Sequence, residues 1–178
     1  MNLKRYMFLF VISVLSFAAE AQEVKIGYTN IELILAYMPE SKSMEQQLNS
    51  YQKQLADGLS AKQAYAEQQL QLYLEKEEKN QLSEAEKEKW QTDLLKLDTD
   101  ISNYSKEAEK QLQMKREALL TPILTKLQNA LDKVAEDNGY TYILNQTTSA
   151  GVSTILYGPD EDDVTKAVMT ELNIPMPE

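Results

Sequence analysis

Few residues in this chain can carry chemistry, because its 178 residues include no histidine and no cysteine. Their absence excludes Ser-His and Cys-His nucleophile pairs, thiolate or imidazole metal sites, and disulfides. The five glycines stand apart from one another, so neither a P-loop nor a dinucleotide-binding fingerprint is present. Only carboxylates, lysines and tyrosines remain as possible catalysts. We therefore predict that the protein is not an enzyme and uses no cofactor.

Two groups of carboxylates could still form a site. The consecutive acidic residues 160–163 could offer oxygen ligands to calcium. An acidic first turn facing a helix dipole explains them better, since the glycine and terminal glutamate of an EF-hand are missing. The glutamate-rich middle of the chain could supply an acid–base pair, but we expect no pocket there that would shift a pKa. We therefore predict no metal site.

The first 21 residues have the pattern of a secretion signal. Two positive residues precede an apolar run over residues 7–17, and Ala19 and Ala21 fit the small-x-small cleavage rule. The apolar run is too short to cross a bilayer, which requires about 20 residues. We predict cleavage before Gln22 and no stable membrane insertion of the mature chain. Secretion without cysteines points to the bacterial periplasm.

The middle of the chain, residues 41–121, predicts a long antiparallel helical hairpin. It contains one glycine and no proline and is rich in glutamine and charged residues, a composition that favours helix over a globular core. Ser83 followed by Glu86 makes a capping box that starts a second helix, and Asn80 is suited to a left-handed C-cap of the first. Each arm would extend roughly 58 Å. The predicted arms are residues 41–79 and 83–121.

Apolar residues recur in both arms in steps of three and four, which predicts the face along which the arms pack, here called the seam. The first arm follows an eleven-residue repeat, which favours nearly straight pairing. Folding the chain at its tip places Tyr73 opposite Trp90, and the same register places Leu59 opposite Tyr104. Lys62 falls in the seam opposite an isoleucine, where its stem can cover the apolar neighbour. The predicted seam residues are Leu48, Tyr51, Leu55, Leu59, Lys62, Ala66, Leu70 and Tyr73 in the first arm and Trp90, Leu94, Leu97, Ile101, Tyr104, Ala108, Leu112, Lys115 and Leu119 in the second.

Three apolar residues of the first arm lie off the seam: Tyr65, Leu72 and Leu74. Packing between the arms does not explain them, although single apolar residues are normal on any protein surface. We take them as candidates for contact with another molecule.

The two ends of the chain, residues 22–40 and 122–178, predict one small body. Near its start, Asn30 can cap a short helix that Pro39 stops. Pro122 lies where the second arm enters the body. It predicts a kink or a restart of the helix, because proline removes a helix hydrogen bond.

Three short strands are predicted in this body, the first from Val24 to near Asn30 and the others over residues 140–145 and 152–157, followed by a last helix around 164–172. So small a sheet gives little core to support two long helices. Its unpaired edge strands would pair with other chains unless they are covered. We therefore predict that the body oligomerises, although the residue pattern leaves the copy number open. The predicted contact residues are Ile26, Tyr28, Tyr142 and Leu144.

These segments, in this order, resemble the OmpH/Skp family of periplasmic chaperones. The resemblance rests on residues 26–30 (Ile-Gly-Tyr-Thr-Asn) with the helix after them, the charged hairpin, and the stretches 138–145, 155–158 and 163–168. It covers the whole mature chain. It implies an α+β fold, mostly helical, in which a β body built by trimerisation carries three hairpins around a cavity. It also implies that unfolded outer-membrane proteins are held there without ATP.

The chain departs from the best-known members of that family in its charge. Those members are strongly basic, whereas this chain has a formal net charge of −10 and a sequence pI of about 4.6. The excess of acidic residues argues against nucleic acid or anionic lipid as partners. The alternative to a holdase is a structural or adaptor protein of the cell envelope, whose hairpins dock onto partner coiled coils.

Overall fold

The computed structural model describes residues 24–148 and 150–175. The predicted secretion signal and the cleavage site before Gln22 lie outside these residues. The elements are, in chain order, β1 (Ile26–Thr29), α1 (Ile31–Tyr37), α2 (Pro39–Glu78), α3 (Glu84–Asn138), β2 (Tyr142–Asn145), a 3-10 turn (Asp160–Asp162) and α4 (Thr165–Glu171).

The hairpin turns between α2 and α3 at the predicted position. Asn80 has a φ of 51°, and the amides of Asn80 and Gln81 each donate at 2.9 Å to carbonyls in the last turn of α2. This left-handed arrangement satisfies carbonyls that would otherwise lack partners. The amide of Ser83 then donates to the carboxylate of Glu86 at 2.8 Å, while the Ser83 hydroxyl accepts from the Glu86 amide. The predicted capping box is therefore confirmed.

The two long helices pack antiparallel along the seam. Near the tip, the ring centroids of Tyr73 and Trp90 are 6.2 Å apart with the planes tilted by 41°, a favourable geometry for an aromatic pair. Farther from the tip, the Tyr51 hydroxyl donates to Oε1 of Gln111 at 3.0 Å. Together these contacts confirm the predicted antiparallel hairpin and the pairing of Tyr73 with Trp90.

Gly58 in α2 makes room for a tyrosine of α3. A methyl group added at Gly58 would overlap the hydroxyl of Tyr104, so the Tyr104 ring can lie across α2 only because this position has no side chain. The ammonium of Lys62 lies 5.4 Å from the centroid of the same ring, within the range of a cation–π contact. Leu59, the predicted neighbour of Tyr104, is half-buried.

One predicted seam position in α2 is wrong. Leu70 is 42% exposed, whereas Gln69 is half-buried. Near the tip, Tyr73 is buried, and positions 66, 69, 76 and 77 are half-buried. The steps 66, 69, 73 and 76 are three, four and three, as in a heptad, the usual pattern of two helices that wind around each other. The eleven-residue repeat therefore does not extend to the tip, and Gln69 lies at the position predicted for Leu70.

Helix α3 continues without interruption through Pro122, so the predicted restart is wrong. Proline removes the hydrogen bond to the carbonyl of residue 118, and its ring crowds that carbonyl, which together cost about 3 kcal/mol in a helix interior. Directly after it, Ile123 and Leu127 are buried in the core of the body. Burial of such side chains contributes about 1.5–3 kcal/mol each, so the two together offset this cost. Tertiary packing therefore keeps the helix intact.

The core of the body lies between α1, the last turns of α3, and α4. Ile34 and Met169 are completely buried in it. Two ion pairs at its edge join the end of α3 to its neighbours, Lys126 with Glu40 and Lys133 with Glu171. The buried members are Ile34, Met38, Ile123, Leu127, Ala130, Leu131, Val134, Val164, Val168, Met169, Leu172 and Ile174.

The sheet has two strands rather than the predicted three. β1 and β2 pair in parallel, with Ile26 opposite Tyr142 and Thr29 opposite Asn145. The prediction of a strand over residues 152–157 is wrong, since this segment makes only a single bridge, from Ser153 to Thr147. Alternating apolar residues favour a strand, but a strand forms only beside a partner. Within the described part of this chain, Thr154 and Ile155 donate hydrogen bonds only at the end of β2, to Asn145 and Gln146, and no strand pairs with residues 156 and 157.

We predict that replacing Gly58 with leucine destabilises the hairpin. Leucine would displace the Tyr104 ring, and overpacking of this kind costs about 1–3 kcal/mol, more than the roughly 1 kcal/mol gained when glycine leaves a helix interior. Adding Tyr104→Ala should recover most of the loss, because it vacates the space. Thermal unfolding followed by far-UV circular dichroism measures both effects. Equal stability of the wild type and Gly58→Leu would contradict this packing.

Candidate functional site

One face of the small sheet is apolar and uncovered. Paired residues of neighbouring strands point to the same face, so the register brings together all four predicted contact residues. Ile26, Tyr142 and Leu144 are 48%, 59% and 47% exposed, whereas Tyr28 is half-buried. The opposite face contacts the core through Ile143 and the buried Thr29. The described chain therefore buries one face of its sheet and exposes the other.

The segment that follows β2 adds further exposed apolar surface. Leu156 and Tyr157 are 91% and 92% exposed. Gly158 lies against the Tyr28 ring, whose hydroxyl donates to the carbonyl of Pro159 at 3.2 Å. Burial, together with the nearby Asp163 carboxylate, raises the pKa of Tyr28. Tyr28 thus holds the end of this segment beside the uncovered face of the sheet.

A polar cluster around Glu32 holds the beginning of the same segment. The hydroxyl of Thr147 donates to Oε2 of Glu32 at 2.6 Å, and Nδ2 of Asn145 lies 3.4 Å from both carboxylate oxygens. Oδ1 of Asn145 accepts from the amide of Ile31 at 3.2 Å. The hydrogen bond from Thr147 is the main cause that lowers the pKa of Glu32. The cluster therefore ties the chain after β2 to the start of α1.

The three candidate residues of the arm do not share one surface. Tyr65 and Leu72 are seven residues apart, two turns of helix, and lie on one flank of α2. Leu74 is two positions beyond Leu72, which turns its side chain about 200° around the helix. It lies on the opposite flank, with Leu70. All four side chains are exposed, so each flank of the hairpin carries an apolar pair.

A groove runs beside the seam on the flank of Tyr65. It has a volume of about 490 Å³ and is lined by Tyr65 and Gln69 of α2 together with residues 86–100 of α3. Its apolar wall includes the half-buried Trp90 and Leu97. Sequence reasoning missed this groove, because Trp90 and Leu97 were explained by the seam alone.

The match with a known family concerns nearly the whole described chain. Residues 25–172 match the family described as outer membrane protein (OmpH-like). The chain belongs to the OmpH-like family. This family consists of non-enzymatic chaperones and is periplasmic. The resemblance seen in the sequence is therefore confirmed.

A solved structure of an OmpH-like protein shows the same fold. It is the crystal structure of a candidate outer membrane chaperone from Caulobacter crescentus CB15. It matches with a TM-score of 0.70 over 84% of each chain, at 13% sequence identity. At this identity the similarity concerns the fold alone. No curated protein matches the chain significantly.

Neither a membrane span nor a metal site is found among residues 24–148 and 150–175. No helix there is long and apolar enough to cross a bilayer, and no three acidic side chains there converge as metal ligands. In the acidic run 160–163, Oδ1 of Asp163 instead accepts from the amide of Thr165 at 2.9 Å and organises the start of α4.

We predict that Glu32 makes the body sensitive to acid. Its pKa is lowered from the ordinary value of 4.5, so its contribution to stability is present above pH 4.5 and is lost as the pH falls through the folded-state pKa. Glu32→Gln should therefore reduce the free energy of unfolding at pH 7. The free energy of unfolding should also differ less between pH 7 and pH 3.5 in this variant than in the wild type. Urea titrations at both pH values measure this, with Glu45→Gln as the control. An unchanged difference would contradict a role for the cluster.

Proposed function

We propose that this protein is an ATP-independent holdase that binds unfolded outer-membrane proteins in a cavity between its helical arms. The observation that carries the proposal is the hairpin itself. Away from the body, α2 and α3 have only each other to pack against within the described residues, and apolar side chains stay exposed on both flanks. Membership in the OmpH-like family supports the same function.

The chemistry of the clients suits such a surface. An unfolded membrane β-barrel exposes alternating apolar side chains with little net charge. Many weak contacts with the arms, each modest alone, add up to useful avidity because they form within one complex. The sequence contains no nucleotide-binding loop, so we propose that capture and release are passive.

We further propose that the protein acts as a homotrimer. The body, residues 22–40 and 122–178, would assemble the trimer, and residues 41–121 would form the hairpin of each copy. The support lies in the uncovered face of the sheet and in the exposed segment 152–157, which needs a neighbouring strand. Closure with other copies would bury the apolar face and satisfy the free strand edges. The number three rests on the family resemblance.

The proposed location is the periplasm, with the secretion signal removed before Gln22. The net charge of −10 means that clients are not captured by a general positive potential. We propose that moderate salt has little effect on capture, because screening weakens exposed charge pairs but not apolar contacts.

We predict that the trimer depends on the exposed face of the sheet. Light scattering should give three chains for the wild type and one for Ile26→Asp/Tyr142→Asp, because the apolar interface would have to bury two carboxylates without partners. The matched control is Leu95→Asp, which places a carboxylate at a position that is 70% exposed on the arm and should leave the trimer intact. A monomeric wild type at micromolar concentration would contradict the assembly.

We predict that client protection depends on the exposed apolar residues of the arm. Tyr65→Ser/Leu72→Ser/Leu74→Ser should keep the trimer and its helical signal while reducing suppression of aggregation of an unfolded outer-membrane protein. Two variants with two substitutions each, Tyr65→Ser/Leu72→Ser and Leu70→Ser/Leu74→Ser, test the two flanks separately. The flank that faces the cavity should account for most of the loss. Full protection by the triple variant, combined with loss of protection in salt, would show electrostatic capture instead.

A further inference from the structure

The groove beside the seam carries a charge pattern that the holdase proposal does not use. Three carboxylates line it, from Glu86, Asp93 and Asp100 of α3. They are seven residues apart, so they recur about every 10.5 Å along the helix axis. Tyr65 and Trp90 line the same groove. The groove therefore combines apolar side chains, here called its floor, with a regular row of negative charge.

Most of these charges are free to meet a partner. Within the described chain, Asp93 and Asp100 form no ion pair and accept no hydrogen bond, whereas Glu86 is engaged in the capping box. Lys89 and Lys96 also line the groove, again seven residues apart, and no carboxylate of the described chain lies within 4.0 Å of their ammonium groups. The spacing of both rows is that of a helix. Around α3, the lysine row lies about 40° farther from Trp90 than the row of Asp93 and Asp100, so the carboxylates are nearer to the apolar side chains of the groove.

The floor continues past the first part of the groove. A second cavity on the same flank shares Tyr65, Leu97 and Asp100 with it and extends it to Ile101. The joined groove follows α3 from residue 86 to 101, a length of roughly 22 Å. A helix of about 15 residues would fill this length.

The repeat distinguishes a helical ligand from an extended one. In an extended strand, side chains on one face recur about every 6.8 Å, which does not match the carboxylate row. In a helix, positions seven apart lie on one face and recur about every 10.5 Å, the same distance as the row. A third helix lying between two others is also the ordinary geometry of helix packing.

We infer that this groove binds an amphipathic helix of another protein, with apolar residues facing Trp90 and lysines or arginines every seven residues facing Asp93 and Asp100. The inference goes beyond the proposed holdase activity and does not depend on it. It gives one flank of the hairpin the role of a docking site for folded helical partners.

A second copy of this chain fits the groove less well. Two copies meeting groove to groove would set two concave surfaces together and leave both floors uncovered. Elsewhere in its helices, the chain has only one pair of basic residues seven apart, Lys126 and Lys133, and both are already paired with carboxylates. The charge complement of the row must therefore come from a different molecule.

The test uses synthetic peptides and the single tryptophan of the chain, Trp90, as the reporter. The first peptide has about 22 residues, long enough to form helix alone, with leucines in a heptad pattern, one lysine per heptad and no aromatic residues. The second has glutamate in place of each lysine. The third has the composition of the first in scrambled order. Binding of the first peptide should shift the Trp90 emission. The other two peptides should bind with an affinity at least about tenfold lower.

A charge swap tests the row directly. Asp93→Lys/Asp100→Lys should reverse the preference, so that the glutamate peptide binds better than the lysine peptide. The matched control, Asp98→Lys/Glu109→Lys, changes the net charge equally on residues that do not line the groove and should keep the wild-type preference. Circular dichroism and light scattering confirm that both variants keep the fold and assembly of the wild type.

Three results would overturn the inference. Equal binding of all three peptides would mean that the groove captures any apolar segment, including extended clients. If the Trp90 emission changes with protein concentration but not with added peptide, the groove is occupied by a second copy of this chain. If Asp93→Lys/Asp100→Lys still prefers the lysine peptide over the glutamate peptide, the carboxylate row does not recognise the ligand. Loss of chaperone activity plays no part in these outcomes, so failure of the holdase proposal is distinguishable.

Discussion

The narrow contact between α2 and α3 is the constraint on which the rest of the molecule depends. Two helices that extend away from a small body can bury only the faces they turn to each other, because no other element among residues 24–148 and 150–175 reaches them. The sequence meets this constraint with an aromatic pair at the tip, Tyr73 and Trp90, and with a glycine that admits Tyr104. Whatever apolar residues lie outside this seam stay in water. Exposed flanks are therefore a necessary result of the architecture, and the proposed function uses them.

Because the hairpin buries little surface, most of the apolar burial that stabilises the fold lies in the body. There, α1, α4 and the end of α3 bury a compact apolar cluster, and the two-stranded sheet is covered on one face only. Polar contacts around Glu32 and Tyr28 hold the following segment beside the uncovered face. In a single chain, these contacts thus hold the exposed segment 152–157 in place. Such surfaces attract each other, which explains why we place assembly in the body and client binding in the arms.

Local signals made much of this fold predictable from the sequence. The capping box at Ser83, the left-handed Asn80 and the cap at Asn30 depend on neighbours within a few residues. The structure has all three as predicted, and Oδ1 of Asn30 accepts from the amide of Leu33 at 2.9 Å. The predictions that failed depend on distant partners. Pro122 stays inside a helix because the residues after it are buried, and residues 152–157 lack a strand beside them. The groove at Trp90 arises only where two helices meet, so no single stretch of sequence displays it.

The unbroken passage of α3 through Pro122 has a mechanical consequence. One rigid helix reaches from the core of the body to the tip of the arm, so it works as a lever whose base lies where the backbone lacks a hydrogen bond. From Pro122 to the tip it measures about 57 Å, and a bend of about 10° at the proline would displace the tip by about 10 Å. In the proposed trimer, movements too small to disturb the core would thus change the span between the hairpins by the width of a helix.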